Sequence, residues 1–198
     1  PRSSSAASDV YKRQNKPEVS KNRRQFIQST AAATALGSMV IPHVHAKESN
    51  INTVQLALVG CGGRGTGAAA DALYASAAKT KLVAMADVFE HKLQGSHNAI
   101  NQEFKEEKEK VDVPVDNQYL GFDAYKKAMD VLNPGDIVIL TTPLAFRWVH
   151  YKYAIEKGLN VFMEKPVIAD GPSARKMLEL TKLADEKNLK CGVGLMVR

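Results

Sequence analysis

A chain of 198 residues, 44% hydrophobic and 24% charged, is long enough for one domain with a real core and too short for two full-sized ones. Its formal charge of +6 is concentrated at one end, because residues 1–46 hold Arg2, Lys12, Arg13, Lys16, Lys21, Arg23 and Arg24 against Asp9 and Glu18, leaving 20 bases and 19 acids for the remainder. That near-neutral body gives no global electrostatic reason to hold nucleic acid, and two cysteines, Cys61 and Cys191, read as buried small residues and not as a disulfide framework.

The N-terminal stretch Ser4-Ser5-Ala6-Ala7-Ser8-Asp9-Val10-Tyr11-Lys12-Arg13-Gln14 resembles the translation of a tagmentation adapter used in library preparation. Residues 1–14 are therefore expected to be a sequencing artefact, excluded from fold reasoning, and the chain is expected to be a piece of a gene. Residues 15–46 have the three parts of an export signal. Asn22-Arg23-Arg24-Gln25-Phe26 supplies the basic start, 29–44 the short apolar middle, and Val44-His45-Ala46 the small residues before a cut. Paired arginines followed by Phe26 resemble the twin-arginine class, so the expected partner is the twin-arginine export machinery and the expected location is outside the cytoplasm, in a periplasm. A stable membrane anchor is not expected, since the apolar run contains Pro42 and is shorter than the roughly 20 residues a spanning helix needs.

From residue 47 onward short apolar runs alternate with longer amphipathic ones. This is the pattern of a doubly wound α/β fold with a parallel sheet, a Rossmann domain over 47–198. The pattern predicts strands over 54–59, 81–86, 136–141, 160–163 and 190–194, and helices over 66–78, 90–109, 122–132, 149–157 and 172–187. Its most informative junction is the first strand running into Gly60-Cys61-Gly62-Gly63-Arg64-Gly65. Glycine at 60 permits a tight turn, glycine at 62 lets backbone approach a pyrophosphate, and glycine at 65 allows close packing of helix on strand. The following helix offers unpaired N–H groups and a positive dipole end to the anion.

The second strand ends in Asp87, 22 residues after Gly65, near the spacing at which an acid reaches the adenosine ribose. Its carboxylate would accept from a 2′-hydroxyl and repel a 2′-phosphate, which favours NAD over NADP. The mixed charges of 103–110 read as a solvated helix face. His91, His97 and His150 fall on predicted helices without partners at metal-ligand spacing, so no metal site is expected; Asp123 and Asp130 read as a helix-start and a surface group. The fourth strand ends Val161-Phe162-Met163-Glu164-Lys165-Pro166. Strand C-termini line the ligand crevice of such a sheet, which would bring Glu164 and Lys165 beside the cofactor. There a lysine can hydrogen-bond a substrate hydroxyl as hydride leaves the carbon, or it is simply a surface ion pair with Glu164.

Taken together, the loop Gly60–Gly65, Thr141-Thr142-Pro143 and Glu164-Lys165-Pro166 resemble the Gfo/Idh/MocA oxidoreductases over about residues 54 to 198. The resemblance implies that the Thr-Pro loop packs by the nicotinamide end and that Lys165 contacts both cofactor and substrate, making it the expected catalytic residue. It implies hydride transfer to or from a sugar, polyol or related carbohydrate. It also implies a C-terminal α/β domain, absent from this chain, which would carry the usual acid/base Asp and His and a route to homo-oligomers. Many members place a histidine four residues after the proline, where this chain has Arg147; His150 lies three further on. Phe146 and Trp148 either wall the nicotinamide pocket or anchor the next helix in the core, the core being the safer expectation. Two alternatives share these motifs: an NAD-dependent glycosidase that oxidises its sugar transiently, and a non-catalytic NAD- or sugar-binding protein.

Overall fold

The computed structural model describes residues 53–195, all within a compact unit spanning Lys47–Arg198. The expectations for 1–14 and 15–46 lie outside the described residues. Six parallel strands form one sheet in the order β3-β2-β1-β4-β5-β6. In chain order the elements are β1 (Val54–Val59), α1 (Gly63–Tyr74), β2 (Thr80–Asp87), α2 (Glu90–Glu103), β3 (Gln118–Leu120), α3 (Ala124–Asp130), β4 (Ile137–Leu140), α4 (Leu144–Glu156), β5 (Asn160–Glu164), α5 (Gly171–Glu186) and β6 (Cys191–Gly194).

The central strand explains the double winding. Successive side chains of a strand point to opposite faces, and in β1 Leu56 and Leu58 enter one core with α1 and α2, while Ala57 and Val59 enter the other with α3, α4 and α5. A strand buried on both faces must be apolar at every position, which is why 56–59 reads as an unbroken run. The register between β1 and β2 slips after Leu56, so Ala57 pairs with Ala84 and skips Val83. After β1 the chain lays β2 and β3 to one side, then returns to lay β4, β5 and β6 on the other. Ligands of open α/β sheets bind where the order reverses in this way, here at the C-terminal ends of β1 and β4.

Several boundaries differ from the sequence reading. Helix α2 stops at Glu103 and not at 109, because Phe104 turns inward to a buried position against Tyr74, with ring centroids 4.8 Å apart. The charged run beyond it is therefore a turn and a short 3₁₀ segment, Lys108–Lys110, which leads Val111 to a bridge with Leu82. Strand β3 was not anticipated. Helix α4 begins at Leu144, five residues before the predicted start, directly after Pro143, whose fixed φ suits the entry to a helix. Helix α1 spans Gly63–Tyr74, starting and stopping earlier than 66–78. Cys61 is buried as expected, whereas Cys191 on edge strand β6 is exposed. Among the described residues no helix is long and apolar enough to cross a membrane.

Candidate functional site

The glycine loop leaves β1 with Gly60 at φ +100°, a left-handed conformation that only glycine adopts at little cost. Its amide donates to Ala86 O at 2.8 Å and its carbonyl accepts from Thr141 Oγ1 at 2.5 Å, so the turn is tied to both neighbouring strand ends. Gly65 is needed for another reason. A Cβ there would lie 2.0 Å from Gly60 O and 2.6 Å from Thr141 Oγ1. Gly62, the N-cap of α1, differs from both: a Cβ at 62 would meet nothing within 4 Å, and no side chain caps the helix end. Open space over a bare helix N-terminus suits a pyrophosphate, with the free N–H groups of the first turn facing it.

Asp87, at the end of β2, faces this loop. Its Oδ2 accepts from Cys61 N at 2.6 Å and its Oδ1 from Phe89 N at 2.9 Å. An ionised carboxylate has about four acceptor positions, so two remain for ribose hydroxyls while the backbone bonds hold the group in place. Cys61 is no nucleophile here, since burial, with Asp87's charge adding to it, pushes its thiol far up, and Sγ sits 3.5 Å from Ala86 O.

A cleft of about 450 Å³ runs over the strand ends. On the Asp87 side it is walled by Val88, Phe89 and Lys92, the lysine lying 5.0 Å over the Phe89 ring. On the other side stand Thr141, Thr142, Pro143, Phe146 and His150. His150 is buried, stacks on Tyr125 at 4.2 Å and lies 3.1 Å from Thr142 Oγ1 through Nδ1. Burial and then the charge of Arg147 push its pKa down to about 4, so a neutral imidazole backs the Thr-Pro loop. Phe146 belongs to the wall, whereas Trp148 packs against the core beneath Lys176. The expectation of a core role thus holds for Trp148 and fails for Phe146, because α4 starts early enough to put 146 in its first turn.

At the end of β5 the side chain of Glu164 does not emerge into the cleft as expected. It is buried, with Oε1 2.8 Å from Arg64 Nη2, and neither carboxylate oxygen has an aligned hydrogen bond. The Glu164 carboxylate beside it raises the Arg64 pKa above its ordinary value. Lys165 is exposed just beyond, with no ion pair to Glu164, and is not among the residues lining the cleft. Arg147 carries the role that sequence reasoning missed. It is buried on α4, donates through Nη1 to Glu164 O and through Nη2 to Thr142 O at 2.8 Å, and so ties the end of β5 to the Thr-Pro loop. Among the described residues no three His, Cys, Asp or Glu side chains converge as a metal site would require.

A family model described as an oxidoreductase family with an NAD-binding Rossmann fold, GFO_IDH_MocA, matches residues 54–195. No curated protein matches the chain. Among solved structures, myo-inositol 2-dehydrogenase from Lactobacillus plantarum is similar at 24% identity and a TM-score of 0.53, over 72% of this chain and 36% of its own. Scyllo-inositol dehydrogenase from Lactobacillus casei with bound NAD(H) and scyllo-inositol gives 18% identity and 0.53, over 72% and 36%. A protein from Parabacteroides merdae gives 19% and 0.53, over 71% and 31%. The likeness is one of fold, and the chain spans about a third of each of these proteins.

Proposed function

The chain belongs to the Gfo/Idh/MocA oxidoreductase family, and on that premise we propose that residues 54–195 hold NAD for hydride transfer to or from a sugar, polyol or related carbohydrate. The observation that carries this reading is the cradle at Gly62, open above a bare helix N-terminus and bordered by the fixed carboxylate of Asp87. The loop Gly60–Gly65 would hold the pyrophosphate, and Asp87 the adenosine ribose. Thr141, Thr142 and Pro143 would wall the nicotinamide end. When bound, the nicotinamide supplies the hydride acceptor or donor. Lys165, one residue beyond the buried end of β5, would hydrogen-bond the substrate hydroxyl and stabilise charge on that oxygen as hydride moves.

NAD is the cofactor and not NADP because Asp87, a carboxylate already fixed by two backbone donors, would face a 2′-phosphate at close range. The substrate half of the site would come from a second, C-terminal α/β domain, which would also offer a route to homo-oligomers. Export runs through the twin-arginine pathway, directed by Arg23 and Arg24, so that a folded, loaded protein reaches the periplasm. Titration of the chain with NADH and NADPH tests the cofactor assignment; equal affinities would remove the role given to Asp87. NADH formation with a panel of inositols and sugars tests the reaction, and a redox-silent cleavage of a glycoside would point to glycosidase chemistry instead.

A further inference from the structure

We infer that Arg147 is a positioning residue for Lys165: its buried guanidinium fixes the end of β5 against the Thr-Pro loop and thereby sets where the lysine stands at the nicotinamide end. The inference rests on the cofactor reading above. Arg147 is 2% exposed, which takes a permanent charge out of water, and such a group is retained at low cost only where its donors are used. Two of them are. Nη1 reaches the carbonyl of Glu164, the residue preceding Lys165, and Nη2 reaches the carbonyl of Thr142 at 2.8 Å. Glu164 ends β5 and Thr142 lies two residues beyond the end of β4, so both stand past the last β4–β5 pair, Leu140 with Met163, and the backbone of Glu164 is paired only on its other side, with Gly194 of β6. One rigid fork thus replaces the missing ladder bonds between the strands that carry the Lys165 and Pro143 steps.

The opposite face of the sheet adds a second grip. Arg64, from the first turn of α1, places Nη2 2.8 Å from Glu164 Oε1, and Gly194 of β6 closes the remaining side, since a Cβ there would meet Glu164 Oε1 at 2.5 Å. Glu164 is therefore held through its carbonyl from α4 and through its carboxylate from α1. Nothing comparable holds the exposed Lys165 itself, so its position derives from its neighbour. Lysine at 147 would keep the charge yet present its donors from one point, which cannot span two carbonyls as the planar fork does.

The test uses the full chain with Arg147→Lys, Arg147→Met, Lys165→Ala and the double variant Arg147→Lys/Lys165→Ala. Affinities for NADH and for ADP-ribose, which lacks the nicotinamide, are measured by calorimetry, with thermal unfolding as a control on folding. Loss of a charged hydrogen bond predicts about tenfold weaker NADH binding in Arg147→Lys, with ADP-ribose affinity within about twofold of wild type. Residues acting through one another are not additive, so the double variant should bind NADH no more weakly than the weaker single one. Parallel loss of NADH and ADP-ribose, or multiplicative losses in the double variant, would overturn the positioning role while leaving the cofactor reading intact. A wild-type chain that binds neither ligand would remove the cofactor reading and this inference with it. If Arg147→Met does not fold, Arg147→Lys decides alone; if neither folds, Arg147 belongs to the fold as a whole and the inference falls.

Discussion

Alanine at Gly62 and alanine at Gly65 are chemically the same change, yet they should have opposite consequences. At Gly65 the new methyl would lie 2.0 Å from Gly60 O, a backbone atom, where ordinary contact begins at 3.4 Å. Helix and loop would have to part by about 1.4 Å, and overpacking of this kind costs about 1–3 kcal/mol, offset by less than about 1 kcal/mol of improved helix propensity. In a domain of this size the net loss lowers the unfolding midpoint by about 2–8 °C. At Gly62 nothing stands within 4 Å and φ is −74°, so alanine costs only the weaker N-cap preference, under about 1 kcal/mol. Its methyl instead occupies the approach of the pyrophosphate, and about tenfold weaker NADH binding, about 1.4 kcal/mol, is expected. Thermal unfolding and NADH titration of both variants give the two numbers. Gly62→Ala binding NADH as wild type does, or Gly65→Ala unfolding at the wild-type midpoint, would refute the division of labour within the loop.

Asp87→Asn should keep one side-chain oxygen to accept from Cys61 N or Phe89 N while removing the charge, and the ratio of NADH to NADPH affinity should fall by about tenfold or more; an unchanged ratio would show that Asp87 does not discriminate. Because His150 titrates near pH 4 in the folded chain against 6.5 ordinarily, stability is whole above about pH 6.5 and declines as pH falls toward 4, where only the unfolded chain takes the proton. The loss reaches about 3 kcal/mol at pH 4. His97 is shifted the same way by burial, so the readout is the difference: His150→Gln should flatten the urea midpoint between pH 6.5 and 4, and parallel curves would contradict the burial argument. For export, residues 15–50 fused to a folded reporter should carry it to the periplasm, and Arg23→Lys/Arg24→Lys should abolish transport; a reporter retained by the unsubstituted fusion defeats the signal assignment.

Much of the sheet is legible in the sequence because a strand buried on both faces has no polar position to hide it. Leu56–Val59 announces itself, as does its delivery into Gly60–Gly65, and the Asp87 carboxylate stands beside that loop. Strand β3 escaped notice since Gln118–Leu120 is three residues long, partly exposed, and recruited by its pairing with β2, not by any periodicity of its own. The sequence does not mark the start of α4 because within Leu144-Ala145-Phe146-Arg147-Trp148 the charged residue is buried while Ala145 and Phe146 are exposed, the reverse of an amphipathic pattern. Arg147 could not be read at all. Its role depends on two carbonyls at positions 142 and 164 being brought side by side, and nothing local to 147 signals that.

The most direct measurement of the central claim uses the chain's single tryptophan, Trp148, on the helix whose first turn walls the cleft. Energy transfer from Trp148 to reduced nicotinamide should rise saturably as NADH is added, be competed by ADP-ribose, and weaken when Gly62 becomes alanine. A titration without saturation, or one to which ADP-ribose and Gly62→Ala make no difference, would mean that the crevice between β1 and β4 is not where the cofactor binds.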